Sequence, residues 1–279
     1  MPTDQSQPPS NSSPSGGDGI GEADDGGGQT PSAPPTDTRS NPPPPRTSSF
    51  RSGLLLGRDH TGLEESAIVE ITADLAIGIS RGRFPKGYPH VDPNEDAVFA
   101  STDGITTVLA VADGHRGFDA AHAAITAIAA HAAFTMTFDP ETIVLRLAEV
   151  AIDAAADLPT AHPSPEKASG TSLTICAIDA KTLTATTLGD TSCFVATKRR
   201  SKRVGSDTQF LTSVANADTI EVTSRSLGAT TAVIVTSDGL TAFAKSIDAA
   251  LRDATTMNAS RGVENLLGAA FAGGAGDNI

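Results

Sequence analysis

Tryptophan is absent from the 279 residues, tyrosine occurs once, at Tyr88, and aromatic residues make up only 4%. A core without many rings has to be assembled from Val, Ile, Leu and Ala in close contact. Cysteine is also scarce, with Cys176 and Cys193 alone, which excludes a disulfide framework. Both fall in apolar, strand-like runs, Leu173–Ile178 and Thr191–Val195, where a free thiol behaves as a small hydrophobe. No apolar run is long enough to span a bilayer, and no basic segment followed by an apolar one opens the sequence, so neither a membrane helix nor an export signal is read. A cytoplasmic protein without a membrane partner is expected. Basic side chains are short as well, 20 Lys and Arg against 33 Asp and Glu for a net charge of −13. That balance excludes a general grip on nucleic acid, whose phosphates are held by basic surfaces. It also means that an anionic substrate needs a local source of positive charge.

The opening stretch is rich in what the rest lacks. Residues 1–52 are dominated by Pro, Gly, Ser, Thr, Gln and Asp, and they hold too little apolar surface to offset the entropy of ordering. They are expected to form a disordered tail, followed by a linker at 53–66 and one folded domain over 67–279. Pro42-Pro43-Pro44-Pro45 reads as a solvated spacer rather than as a polyproline ligand.

Within the domain, acids recur at the ends of apolar runs. The run Ile105–Ala112 stops at Asp113-Gly114-His115, and Thr231–Thr236 stops at Ser237-Asp238-Gly239. Asn94-Glu95-Asp96 precedes the first run, and Asp277-Asn278 lies far downstream. Any single Asp-Gly is more often a turn than a ligand. Four acidic signals placed this way have a common reason in a hard divalent cation, which takes oxygen donors.

The pattern between these points alternates strand and helix. Ala67–Ser80 alternates apolar and polar residues as a strand does, a proline-rich loop spans 84–93, and Asp103-Gly104 turns one strand into the next. Residues 118–136 are Ala-rich and free of Gly and Pro, which predicts a helix. A second helix is predicted from Pro140 to Leu158, with Asp139 as its N-cap. Strands follow at Thr171–Ile178, Thr182–Leu188 and Ser192–Thr197 as an antiparallel meander, with Lys198–Arg203 as a basic hairpin tip. Strand pieces near 208–214 and 219–224 come next, and helices near 240–256 and 260–271. His122 and His131 are expected to face solvent or a sheet edge, and Gly189-Asp190 to be an ordinary hairpin turn. Strands in two groups, each followed by helices, define an α+β layered fold.

The ordered set Asn94-Glu95-Asp96, Asp113-Gly114-His115, Gly170-Thr171-Ser172, Gly189-Asp190-Thr191, Ser237-Asp238-Gly239 and Asp277-Asn278 resembles the metal-dependent protein phosphatases of the 2C type. The resemblance implies a four-layer α-β-β-α sandwich of two antiparallel sheets flanked by helical pairs. It implies two Mn²⁺ or Mg²⁺ ions, with Asp113 bridging them, the Gly114 carbonyl, Asp96, Asp238 and Asp277 completing the shells, and Glu95 acting through water. His115 takes the place of the family's general acid. The implied activity is hydrolysis of phosphoserine and phosphothreonine in a phosphorylated protein substrate, opposite a serine/threonine kinase pathway. A phosphatase-like binding module without turnover is the alternative, and a hydrolase of small phosphoesters is a third reading.

The sequence departs from the family at several points. Arg116 stands where members commonly have Gly. The candidates for the phosphate-gripping arginine are Arg83, Arg81 and Arg116, of which the first two are separated from Asn94 by the proline-rich loop. Glu166 has no clear counterpart as ligand of a third metal, the interval Cys193–Ser237 leaves little room for a flap, and a closing strand is implied beyond Asp277-Asn278-Ile279.

Overall fold

The computed structural model describes residues 49–84, 94–158, 169–205, 220–228 and 231–279. In chain order the strands and helices are β1 (Arg51–Leu56), β2 (Ser66–Thr72), β3 (Leu75–Ser80), β4 (Ala97–Thr102), β5 (Thr107–His115), α1 (Asp119–Thr135), α2 (Pro140–Ala156), β6 (Gly170–Ile178), β7 (Thr182–Leu188), β8 (Ser192–Ala196), β9 (Ser201–Val204), β10 (Val222–Ser226), β11 (Ala232–Thr236), α3 (Asp238–Phe243), α4 (Ile247–Ala254) and α5 (Ala259–Ala272). No described helix is long and apolar enough to cross a membrane.

Six strands form one antiparallel sheet in the order β1-β4-β5-β6-β7-β10. Because successive side chains on a strand point to opposite faces, β5 sends Val108, Ala110 and Ala112 one way and Leu109, Val111 and Asp113 the other. The first set packs with Phe99, Ile125, Ile128, Ile143 and Leu147 under α1 and α2. Burying each of these larger side chains is worth about 1.5–3 kcal/mol. Helix α2 begins as read, with Pro140 in the first turn and the Asp139 carboxylate accepting the Thr142 N–H at 3.0 Å.

The opposite face of the sheet meets a second strand layer. Val98, Ala100 and Val111 pack on Ile77 and Ile79, and Cys176 and Leu183 pack on Cys193 and Val204. Both cysteines are buried free thiols. Outside this layer, Leu251, Leu266 and Leu267 of α4 and α5 cover Phe194 and Ala196 of β8. The layers therefore run helix, sheet, sheet, helix, as the α+β reading expects.

Four expectations need correction. The predicted linker 53–66 contains strand, since β1 pairs with β4 from Arg51 opposite Thr102 to Leu56 opposite Ala97; Leu55 and Leu56 alone are buried, a signal too short to stand out. Ala67–Ser80 is a hairpin rather than one strand, because Ala73-Asp74 turns it back and the apolar alternation hides that turn. The meander breaks after β7: Gly189, at φ 87°, turns the chain so that β8 joins the second layer. That layer is in two pieces, β2–β3 and β11-β8-β9, rather than one sheet. The predicted piece at 208–214, Glu166, the interior of the proline-rich loop and the tail through residue 48 lie outside the described residues.

Candidate metal centre

The register of β4 on β5 sets Ala97 opposite Ala112, so Asp96 and Asp113 lie at the same end of the pair. Both follow the alternation that points Val98 and Val111 between the two strand layers. Asp113 also pairs with Ser172 of β6, and the Thr171 hydroxyl donates to the Asp113 carbonyl at 2.8 Å. The Gly-Thr-Ser segment thus fixes the Asp113 backbone.

Asp238 arrives from the other layer, at the first position of α3. Burial lifts the Asp113 carboxyl well above its usual range, and the charges of Asp96 and Asp238, a side-chain hydrogen bond with Asp238, and the charge of Asp190 add to the rise. Carboxylates that raise one another in this way share one electrostatic site. Asp190 was read only as a hairpin residue, yet its Oδ1 is buried without a hydrogen-bond partner. Sequence reasoning missed it because Gly-Asp is turn chemistry everywhere else.

Two glycines allow the approach of backbones here. A Cβ on Gly114 would sit 2.5 Å from the Glu95 carbonyl, and one on Gly239 would sit 1.8 Å from that of Asn278. Either contact is impossible for a larger residue without displacement of main chain.

The neighbouring predicted residues are distributed around this cluster. Glu95 is fully buried, its Oε1 accepts the Gly117 N–H at 2.6 Å, and its own N–H donates to Asn278 Oδ1 at 2.9 Å. Asn278 Nδ2 donates to the Arg81 carbonyl at 3.1 Å, and Asp277 Oδ1 accepts the Asn278 N–H at 2.8 Å. His115 lies exposed at the end of β5. Arg116 is exposed and held at φ 65°, a left-handed conformation that usually belongs to glycine. The Arg81 guanidinium donates to the Thr61 carbonyl at 2.8 Å, while Arg83 pairs with Glu64 at 2.8 Å and reaches the Phe271 carbonyl at 3.4 Å.

His122 does not face solvent. It is 3% exposed, stacks on Phe118 at 4.7 Å, and its Nε2 lies 3.1 Å from the Asp96 carbonyl. A carbonyl only accepts, so Nε2 carries the proton. Burial pushes its pKa below the ordinary value, consistent with a neutral ring. His131 is exposed, as expected, with Nδ1 2.8 Å from the Ala127 carbonyl.

The donors are all oxygens, the combination that suits Mg²⁺ and Mn²⁺ rather than a soft metal. The partnerless Asp190 oxygen and the mutual repulsion at Asp113 are what such a cation relieves, so the residues fit it. Among the described residues, however, no three His, Cys, Asp or Glu side chains already converge as a formed ligand set.

The fold of two facing antiparallel layers with helices outside is similar to that of solved PPM serine/threonine phosphatases. The PPM Ser-Thr phosphatase MsPP from Mycobacterium smegmatis, in complex with cacodylate, matches with a TM-score of 0.55 at 21% identity over 77% of this chain and 95% of its own. The catalytic domain of the serine/threonine phosphatase PstP with two manganese ions matches at 0.54 and 17% identity, covering 82% of this chain and 96% of that one. RsbX in complex with magnesium matches at 0.54 and 15%, covering 77% and 96%. No family model and no curated protein matches the sequence. The resemblance read from the motifs is therefore matched in the fold.

Proposed function

We propose that the chain is a metal-dependent serine/threonine protein phosphatase. The observation that carries this reading is the shared electrostatic site of Asp96, Asp113, Asp190 and Asp238, set at the end of two strand layers in the fold just described. Asp113, Asp96, Asp238, Asp277 and the Gly114 carbonyl would hold two Mn²⁺ or Mg²⁺ ions, with Asp190 as an added neighbour. Two such ions supply a water of lowered pKa and a clamp for the oxygens of an in-line phosphoryl transfer.

The protein's own groups do the rest. Asp113, held by Thr171, and Asp96, held through its carbonyl by His122 and Gly57, keep the carboxylates at fixed places. Glu95, tied to Gly117, fixes the loop that follows β5. His115, exposed at the end of β5, would give a proton to the leaving serine or threonine oxygen. Arg116, the exposed cation next in sequence, would steady the substrate phosphate. A phosphorylated protein in the cytoplasm, opposite a kinase, is the proposed substrate, and residues 51–279 are the proposed catalytic unit.

One observation favours the binding-module alternative: the Arg81 and Arg83 side chains are already engaged with Thr61, Glu64 and Phe271. Hydrolysis of a phosphothreonine peptide separates the two. Turnover that needs Mn²⁺, stops with chelator and is lost in Asp113→Ala supports the enzyme. A folded protein that binds the peptide with excess Mn²⁺ but releases no phosphate supports the module.

A further inference from the structure

The outer face of α1 carries a cleft of about 490 Å³, a volume in the range of small-molecule sites. Asp119, His122, Ala123, Ala127 and Ala130 line it from the helix, at spacings that set them on one face. From Asp119 to Ala130 this face runs about 16 Å at 1.5 Å per residue. Arg58 lines the cleft from the turn after β1.

The polar groups of the cleft lack partners. Arg58 and Asp119 are exposed and of opposite charge, and among the described residues neither forms an ion pair, with the other or with any third group. His122 is buried, and its Nδ1 has no hydrogen-bond partner. Because the ring proton sits on Nε2, toward the Asp96 carbonyl, Nδ1 is an acceptor with nothing to accept. Leaving such an atom unpaired costs free energy that a donor would restore. The rest of the helical face is apolar, with Ala123 and Ala127 half-buried and Ala130 exposed. A complementary ligand therefore carries a cationic donor for Nδ1 and Asp119, an anion for Arg58, and an apolar arm for the alanines. An α-amino acid holds the first two on one carbon and the third on the same carbon.

We propose that this cleft binds an α-amino acid with an apolar side chain. Its ammonium donates to His122 Nδ1 and to the Asp119 carboxylate, its carboxylate accepts from the Arg58 guanidinium, and its arm lies along Ala123 and Ala127. The imidazole that receives the ammonium is bonded through Nε2 to the Asp96 carbonyl, so occupancy reaches the backbone of one of the acids. The cleft and its ligand do not depend on phosphatase activity, and the test reads binding alone.

The full, isotope-labelled chain is titrated with L-norleucine and followed by its amide chemical shifts. Saturation with a Kd of about 5 mM or below is expected, with the shifts concentrated at Arg58, along residues 119–130, and at Ala97, whose N–H shares a peptide unit with the Asp96 carbonyl. L-Norvaline, one methylene shorter, is expected to bind about two- to fourfold more weakly. Hexanoate lacks the ammonium and pentylamine the carboxylate; each is expected to bind at least about tenfold more weakly than norleucine. Arg58→Gln and Asp119→Asn are expected to weaken norleucine by a similar factor with circular dichroism unchanged. No saturation by about 10 mM norleucine, or either analogue binding as tightly as norleucine, overturns the proposal whether or not the variants fold. Equal affinity in parent and both folded variants also overturns it, since the amino acid then binds elsewhere.

Discussion

The imidazole of His122, on a helix outside the six-stranded sheet, donates from Nε2 to the main-chain carbonyl of Asp96 across 3.1 Å. The same carbonyl accepts the Gly57 N–H at 2.8 Å. Helix α1 and the turn after β1 thereby meet on the backbone of one acid, and the position of that acid depends on both.

His122→Phe keeps an aromatic ring against Phe118 but removes one of these two donors. A stability loss of about 1–2 kcal/mol is expected, read as a lower urea midpoint with an unchanged slope. Calorimetric titration should also show weaker Mn²⁺ binding; unchanged affinity would restrict His122 to a packing role.

Asn278 is 2% exposed and serves both Glu95 and Arg81 through its side-chain amide. Asn278→Ala leaves the buried Glu95 N–H without that acceptor, at a cost of about 1–3 kcal/mol. Asn278→Asp keeps an acceptor but sets a buried carboxylate against the Arg81 carbonyl oxygen beside the acids, so its urea midpoint at low ionic strength should fall at or below that of the alanine variant.

Arg116 is held at φ 65°, where a side chain costs roughly 1–2 kcal/mol. Arg116→Gly removes that strain but adds freedom to the unfolded chain. A net gain of about 0.5–1 kcal/mol is expected in thermal unfolding. If Arg116 also steadies substrate phosphate, the same variant raises KM for a phosphopeptide while it gains stability.

The Asp139 carboxyl at the start of α2 is held below its usual pKa by the Thr142 hydroxyl and N–H. Its folded pKa lies below the unfolded one, so its contribution is complete above the unfolded value of about 3.9 and disappears as pH falls through the folded value. Asp139→Ala should lower the melting temperature at pH 7 and flatten its fall below pH 4. A parallel curve for parent and variant would show that the cap is not what titrates.

The sequence made α1, α2 and strands β6 to β8 legible to within a residue or two, because periodicity, Pro140 and the Asp-x-x-Thr cap are local signals. It made Asp96, Asp113 and Asp238 legible as a group because Asp96 opens an apolar run and Asp113 and Asp238 follow the ends of two others. Asp190 and His122 were hidden for a different reason. A turn aspartate and a helix histidine take their meaning from what lies across the fold, and nothing within ten residues of either records that. β1 was missed because three leucines at the end of a polar tail carry too short an alternation to count, although the edge they fill is fixed by β4. The split of the second layer was equally invisible, since strand pairing is not a property of one segment.

The bond from Glu95 to Asn278 spans 183 residues, and this sets an order of events on the ribosome. The strands that carry Asp96 and Asp113 emerge early and have local partners with which to fold. Asn278 follows Glu95 by roughly 10–40 s at about 5–20 residues per second. For that interval the strands that carry Asp96 and Asp113 exist without the amide that Asn278 brings to Glu95, so this end of the interface between the two strand layers is the last part of the fold to be tied together.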